Sequence, residues 1–249
     1  MFLDPSQLQS VAPSEILSEI AQGHLDIDSR VLHALLDHPA ETIPALVELS
    51  KSDSWKESGD LEIDIAQLFH ALQAPEGIPF LIEAVRLHPD DIPDEVTEAL
   101  HFFGNPALEA LLALYREVDE ADSEEVAFLL ASFHIRDERI FQILLERLDY
   151  DVAEGAFLLA LYGDPAGRSH LESARASLGD ADHQLQKEVT EALNLLESQA
   201  EAVYVATPLD IYSFYPEEAE LPIDLLSEKQ RLELLNDSRP GIRAQAAHS

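Results

Sequence analysis

The chain has 249 residues, of which 49 are Asp or Glu and 15 are Lys or Arg, so its formal net charge is -34. This charge repels phosphate backbones and anionic bilayers, which disfavours direct binding to nucleic acid or to a membrane surface. Hydrophobic residues make up 46% of the chain, as in globular proteins, and the absence of cysteine excludes disulfides, thiolate nucleophiles and cysteine-ligated metal sites.

The N-terminal segment predicts neither export nor membrane insertion. MFLDPSQLQSV lacks the basic region and the long apolar region of a signal peptide. No apolar run approaches the roughly 20 residues that span a bilayer. We therefore expect a soluble, cytoplasmic protein. The first helix in chain order is predicted at Pro13 to Gln22, as a capping helix closed by Gly23.

From there the chain repeats one pattern five times, aligned on a hinge position. Successive hinges are 36, 31, 30 and 29 residues apart. A large apolar residue stands three positions before each hinge, in four of the five repeats another stands six positions before it, and in the three middle repeats a third, Ile65, Val96 or Val126, stands ten positions before it. These offsets place the side chains on one face of a helix, helix A of the repeat. The hinge residues are Pro39, Pro75, Pro106, Arg136 and Pro165.

A second helix, helix B, is predicted after each hinge. Apolar residues in 108–115 follow the i, i+3, i+4, i+7 spacing of an amphipathic helix, and proline at the hinge suits a first helical turn. Gly104 and Gly163 precede their prolines by two and can take the positive φ that ends helix A. Because neither helix can bury its apolar stripe alone, we predict an all-α fold. It is a right-handed α-solenoid of about five to six antiparallel helix pairs, with a less regular C-terminal segment.

These repeats resemble a known bacterial family. ALHFFGNPALEALLALY and FLLALYGDPAGRSHL are similar to the HEAT-like repeats of bacterial proteins, the group that includes phycobilisome-lyase-type repeats. The family pattern AL…xGxPAxxxLLxLL is matched best at 99–115, well at 68–82, and loosely at 32–47 and 128–144. The resemblance spans about residues 25–200 and implies the HEAT-like solenoid fold. It implies no single function, because such repeats serve scaffolds, inhibitors and a few enzymes.

After the repeats the sequence changes character. One more amphipathic helix is predicted at Gln186 to Ala200, and residues 204–224 then hold three prolines and four aromatic residues without a helical period. Residues 229–249 are similar to the opening of another repeat and carry four basic and two acidic residues. We therefore predict two regions: 1–203, the solenoid with its capping helix, and 204–249, an irregular aromatic segment with C-terminal helices that pack as a cap.

The acidic residues gather in the connections between helix B of one repeat and helix A of the next. EVDEADSEE, residues 117–125, has six acids in nine positions, more than helix capping requires. In a stacked solenoid such turns lie along one edge, so we predict an acidic ridge that is either a solvated face or a surface for a basic partner. Calcium is a lesser alternative, since no stretch matches an EF-hand loop. The predicted contact residues here are Asp90, Asp91, Asp119, Glu120, Asp122, Glu124 and Glu125.

The aromatic segment is the second candidate surface. Its residues Tyr212, Phe214 and Tyr215 either belong to a plug that covers the last helix pair or form a peptide-docking patch. Trp55, the only tryptophan, lies in the longest connection between repeats. We expect it to pack over the first repeat, the alternative being an exposed anchor.

Two histidines share one position of the repeat. His70 and His101 each stand five residues before their hinges, and equivalent helices of a stack lie about 8–10 Å apart, so the two imidazoles can approach each other. We interpret them as partly buried and locally hydrogen-bonded. As metal ligands they would need further partners, which no spacing supplies. The His-Glu dipeptides of HEAT-repeat di-iron hydroxylases do not occur. We predict no metal and no cofactor.

No catalytic signature appears in the sequence: GxGxxG, a Walker A loop, GxSxG and HExxH do not occur. The leading hypothesis is therefore a non-enzymatic scaffold or inhibitor that binds a basic protein through an acidic face. The alternative is a metal- or chromophore-handling enzyme with a site near His70 and His101. A third hypothesis is a component of a larger assembly, because the chain ends on what resembles half a repeat.

Overall fold

The computed structural model describes residues 5–119, 123–179, 182–199 and 207–215, and all regular secondary structure among them is helical, as predicted. The chain divides into two compact units. Unit 1 is Met1–Gly77 with Pro208–Ser249, and unit 2 is Ile78–Thr207. The boundary at Gly77 falls inside the region 1–203 that the repeat pattern treats as one solenoid. Glu120, Asp122 and the predicted C-terminal helices lie outside the described residues.

Unit 1 is built around helices that follow the predicted order. The α-helices are α1 Pro13–Ala21, α2 Ser29–Leu36, α3 Pro39–Ser50 and α4 Gly59–Ala71, and the short 3-10 helices are Pro5–Ser10, Pro75–Gly77 and Ile211–Ser213. α3 packs against α1, α2 and α4. The helix predicted from Pro13 to Gln22 is present as α1, and Gly23 adopts a φ of +67° shortly after its end.

Unit 2 continues the alternation of helix A and helix B. The helices are α5 Ile78–Leu87, α6 Asp94–Phe103, α7 Asn105–Tyr115, α8 Ser123–Ser132, α9 Glu138–Tyr150, α10 Val152–Tyr162, α11 Gly167–Ser177 and α12 His183–Gln199, with a 3-10 helix at Pro89–Asp91. Consecutive helices pack on each other from α5 to α12, and α5 also contacts α7, α8 contacts α10, and α10 contacts α12. α12 begins three residues before its predicted start at Gln186.

The hinge glycines behave as the sequence predicts. Gly104 (φ +60°) separates α6 from α7, and Gly163 (φ +73°) ends α10 in the left-handed region. Such a φ is inexpensive only for glycine, so these two residues set the points at which the chain reverses. At Pro75 the chain instead forms a 3-10 turn, and α5 begins only at Ile78.

Arg136, the one hinge residue that is not proline, has a role of its own. Its guanidinium donates to the carbonyl oxygens of Tyr162 (3.1 Å) and Gly163 (2.8 Å), which lie at the C-terminal end of α10. The Tyr162 hydroxyl donates to the carbonyl of Ile135 (2.9 Å) and accepts from the backbone N–H of Asp137 (2.7 Å). The side chains therefore tie this hinge to the end of the next helix A, and they satisfy carbonyls that a helix end leaves without intrahelical partners.

Trp55 is part of the core of unit 1. Its side chain is 1% exposed, and its indole N–H donates to the carbonyl of Ser50 at 2.9 Å. The expected packing role is confirmed, and the alternative of an exposed anchor is wrong. A buried indole needs this hydrogen bond because an unsatisfied N–H in the core is costly.

Candidate functional site

The described part of the predicted acidic ridge brings two connections of unit 2 together. Asp90 and Asp91 lie exposed on the 3-10 helix that packs against α8. Glu124 and Glu125 lie in the first turn of α8, the former exposed and the latter half-buried, and Asp119 is exposed before it. We call these five residues the acidic surface. They are separated by up to 35 positions in sequence, so their grouping is a product of helix packing.

The electrostatics of Glu125 show that these carboxylates interact. The pKa of Glu125 is raised, first by desolvation and then by the negative charges of Glu124, Asp90 and Glu154. Repulsion of this kind disfavours the charged form of each acid. A cation from outside would relieve it, so the surface is suited to bind positive charge.

Glu125 of the acidic surface belongs to a longer pattern that the sequence argument missed. An acid stands eleven positions before every hinge, and the apolar spacing of Val189, Leu193 and Leu196 in α12 places Glu188 at the same position. Extending the repeat alignment by one residue towards the N-terminus, beyond the apolar position ten before the hinge, would have found this column of acids. The column consists of Asp28, Asp64, Glu95, Glu125, Glu154 and Glu188.

Two members of the column have structural partners. Asp28 caps α2 by accepting from the backbone N–H groups of Arg30 and Val31. Glu154 pairs with Arg147 through two contacts of 2.6 Å, and the two side chains are only 15% and 7% exposed. These acids hold the fold together, so position in the column does not by itself give a binding role.

Residues 208–215 of the aromatic segment pack within unit 1. The 3-10 helix Ile211–Ser213 contacts α4, and Ile211 is 2% exposed. The Tyr212 hydroxyl lies 3.1 Å from Nδ1 of His33, with the two rings 5.0 Å apart. Phe214 is 53% exposed. The apolar side of this segment is therefore used for packing, and Phe214 is the member most available to a partner.

Tyr215 anchors the end of this segment on a carboxylate of the acidic column. Its hydroxyl donates to Oδ1 of Asp64 on α4 at 2.6 Å. Burial raises the pKa of Asp64 to about 6, with the charges of Asp60 and Asp26 acting in the same direction and the Tyr215 hydrogen bond opposing them. Tyr215 thus makes a structural contact within unit 1.

The raised pKa of Asp64 predicts a pH dependence of stability. The pKa of folded Asp64 is about 6, whereas the unfolded side chain loses its proton near its ordinary pKa of 3.8. The free energy of unfolding therefore falls as pH rises between these values and stays lower above them. We expect Asp64→Asn to remove this fall and to stabilise unit 1 above pH 6 by about 1 to 3 kcal/mol. Urea unfolding followed by the fluorescence of Trp55 measures the free energy of unfolding at each pH.

The control for this experiment is Glu57→Gln, which removes an exposed carboxylate of the same unit. It should leave the pH profile of the wild type unchanged. If the free energy of unfolding changes equally with pH between pH 4 and 6 in wild type and Asp64→Asn, the carboxyl of Asp64 does not titrate in that range.

The two histidines of the repeat lie in different units. His70 is 5% exposed in α4. His101 in α6 lies 2.9 Å from Oγ of Ser132 and makes an edge contact with Phe133. Burial lowers the pKa of His101 to about 4, and the charge of His134 adds to this effect. The interpretation of partly buried, locally bonded histidines fits these contacts. Within the ranges that the structure describes, no group of three or more His, Asp or Glu residues is arranged to hold a metal ion.

An exposed aromatic pair on helix A of two neighbouring repeats is a further feature that the sequence argument missed. Phe128 on α8 and Phe157 on α10 are 39% and 46% exposed, and their rings stack at 6.4 Å with an interplanar angle of 10°. Both stand eight positions before their hinges. Apolar periodicity alone does not separate an aromatic residue that faces outward from one in the core, so the exposure of Phe128 was not predicted.

A groove of about 310 Å³ runs beside Phe157 between α10 and α12. Its floor is apolar, and two carboxylates stand on the α12 side. The lining residues are Ala153, Phe157, Glu188, Glu191, Ala192 and Leu195.

Comparison with family models, with curated proteins and with solved structures finds no match to this chain. In the portion of the chain that the structure covers, no helix has both the length and the apolarity to cross a membrane.

Proposed function

We propose that this protein is a non-enzymatic HEAT-like α-solenoid that binds a basic protein partner through the acidic surface of unit 2. A cytoplasmic location and a right-handed stacking of the helix pairs are part of this proposal. The function is that of a scaffold or of an inhibitor whose carboxylates occupy a cationic site on its target.

The contacts of unit 2 support the solenoid part of the proposal. Helices two apart in sequence pack on each other, as α8 does on α10 and α10 on α12, while consecutive helices pack as hairpins. Repeats that contact only their neighbours have this pattern. It leaves the connections and the outer helix faces available for binding.

The single observation that carries the binding proposal is the grouping of Asp90 with Glu124 and Glu125. Helix capping accounts for an acid in the first turn of α8. It does not account for a second connection that brings another carboxylate close enough to raise the pKa of Glu125. A basic partner would neutralise this charge, and electrostatic attraction would speed its encounter.

The test uses a lysine-rich helical peptide as the probe and measures its association rate with the full chain. We expect the rate to fall at least about tenfold between low and high salt, because screening shortens the range of the attraction. The variant Asp90→Asn, Asp91→Asn, Glu124→Gln, Glu125→Gln should associate several-fold more slowly than wild type at low salt.

The matched control neutralises four exposed acids of unit 1: Glu41, Asp53, Glu57 and Glu76. Both variants have the same net charge, so a difference between them reports the location of the charge and not its total. Equal rates for the two variants, or a rate insensitive to salt, would contradict the proposal.

A further inference from the structure

We infer that the exposed Phe128–Phe157 pair and the adjoining α10–α12 groove form a docking site for an amphipathic, cationic helix of a partner protein. This inference rests on the proposed function and specifies the chemistry of the partner: apolar side chains on one face, with lysine or arginine beside them.

The aromatic pair supplies the apolar part of the site. Large exposed aromatics on two successive helices form a continuous apolar patch, whereas a single exposed apolar residue is ordinary on a protein surface. The stacked geometry at 6.4 Å keeps both rings side by side on the helix faces. Such a patch matches the spacing of apolar anchors on a helix that lies in a groove.

The groove beside Phe157 extends this patch. Ala153, Ala192 and Leu195 provide apolar lining, and small residues leave space for a side chain to enter. Its volume of about 310 Å³ is at the lower end of the range for ligand pockets, about 300–1,000 Å³. An anchoring side chain of a peptide suits it better than an extended cofactor.

Charge complementarity decides the occupant. Glu188 and Glu191 line the groove, and Glu124 stands one turn from Phe128 on α8. Lys187 on α12 makes a 3.4 Å contact with Glu191 of the groove, and both side chains are more than 60% exposed. A solvated pair of this kind contributes little and is easily exchanged for a partner's cation. The rim therefore rejects acidic segments and anionic lipid, and it accepts lysine and arginine beside apolar anchors.

The test compares two synthetic peptides of identical lysine and leucine composition. In one peptide the leucines follow helical spacing, and in the other their order is scrambled so that no apolar face forms. We expect the full-length protein to bind the amphipathic peptide at least about tenfold more tightly, measured by calorimetry at moderate salt. Phe128→Ala combined with Phe157→Ala should abolish this preference and leave the weaker, salt-dependent binding of both peptides.

The control variant is Phe214→Ala, which removes the exposed ring of the aromatic segment. It should preserve the preference for the amphipathic peptide. If both peptides bind equally to wild type with strong salt dependence, the docking site is wrong while the acidic-surface proposal stands. If Phe214→Ala removes the preference and the double variant retains it, the docking site lies in segment 207–215 and this inference is overturned. If neither peptide binds at low salt, the proposed function fails as well.

Discussion

Gly155→Ala should destabilise unit 2 by about 3 kcal/mol, because the added methyl group has no space between two helices. A Cβ at residue 155 would lie 2.2 Å from both Cα and the backbone nitrogen of Leu148, and 2.6 Å from the carbonyl carbon of Arg147. These are backbone atoms of α9, so no rotamer change relieves the overlap. α9 and α10 would have to separate, which would also weaken the packing of α10 on α12. Urea unfolding followed by circular dichroism at 222 nm measures the loss.

The matched control for this prediction is Gly59→Ala, at the first residue of α4. A Cβ there meets nothing within 4 Å. We expect a neutral effect or a gain of up to about 1 kcal/mol, because alanine restricts the unfolded chain and favours helix. A wild-type unfolding midpoint for Gly155→Ala would show that α9 and α10 are not this close.

Arg147→Met should have the second large effect, a loss of about 3 kcal/mol. The guanidinium makes two contacts of 2.6 Å with Glu154 and donates to Oγ of Ser123 at 3.1 Å, with its side chain only 7% exposed. Methionine keeps the apolar volume but leaves the Glu154 carboxylate, which is only 15% exposed, without its cation. Breaking one side of a buried ion pair is strongly destabilising for this reason. The free energy of unfolding from urea titrations is the measurement.

The double variant Arg147→Met, Glu154→Met separates the two contributions to this loss. Because both charges are removed together, we expect it to recover most of the stability that the single variant loses. Arg168→Met breaks the exposed Arg168–Glu197 pair of the same unit and should leave the unfolding midpoint unchanged. A double variant as unstable as the single one would indicate that Arg147 stabilises through packing of its stem.

Much of the helical organisation was predictable because it rests on local rules. The hinge glycines at 104 and 163 adopt the predicted positive φ, and the predicted N-terminal helix ends two residues before Gly23. Apolar periodicity also placed Val126, Leu130 and Phe133 in the core, where all three are at most 1% exposed. Each of these signals lies within one helix or one turn, so a single stretch of sequence contains it.

The candidate site was predicted only in part, because its members come from different repeats. Sequence clustering indicated the acids at 89–95 and 117–125, but the proximity of Asp90 to Glu125 depends on the packing of a 3-10 helix against α8. The sequence left two alternative roles for Tyr215, in a plug or in a docking patch, and its bond to Asp64 joins positions 151 apart in sequence. The Phe128–Phe157 stack likewise requires knowledge of which side of each helix faces outward.

The sequence alone determined the helical class, the A and B alternation, the turn positions and the strongly acidic character, since propensity, periodicity and charge are properties of local sequence. Tertiary packing decided which acids repel one another, which are neutralised, and where the aromatic segment lies. Burial and distance set these outcomes: Glu154 is paired with Arg147, Asp64 is bonded by Tyr215, and Glu125 faces other carboxylates. Three acids at the same position of the repeat thus have three different roles.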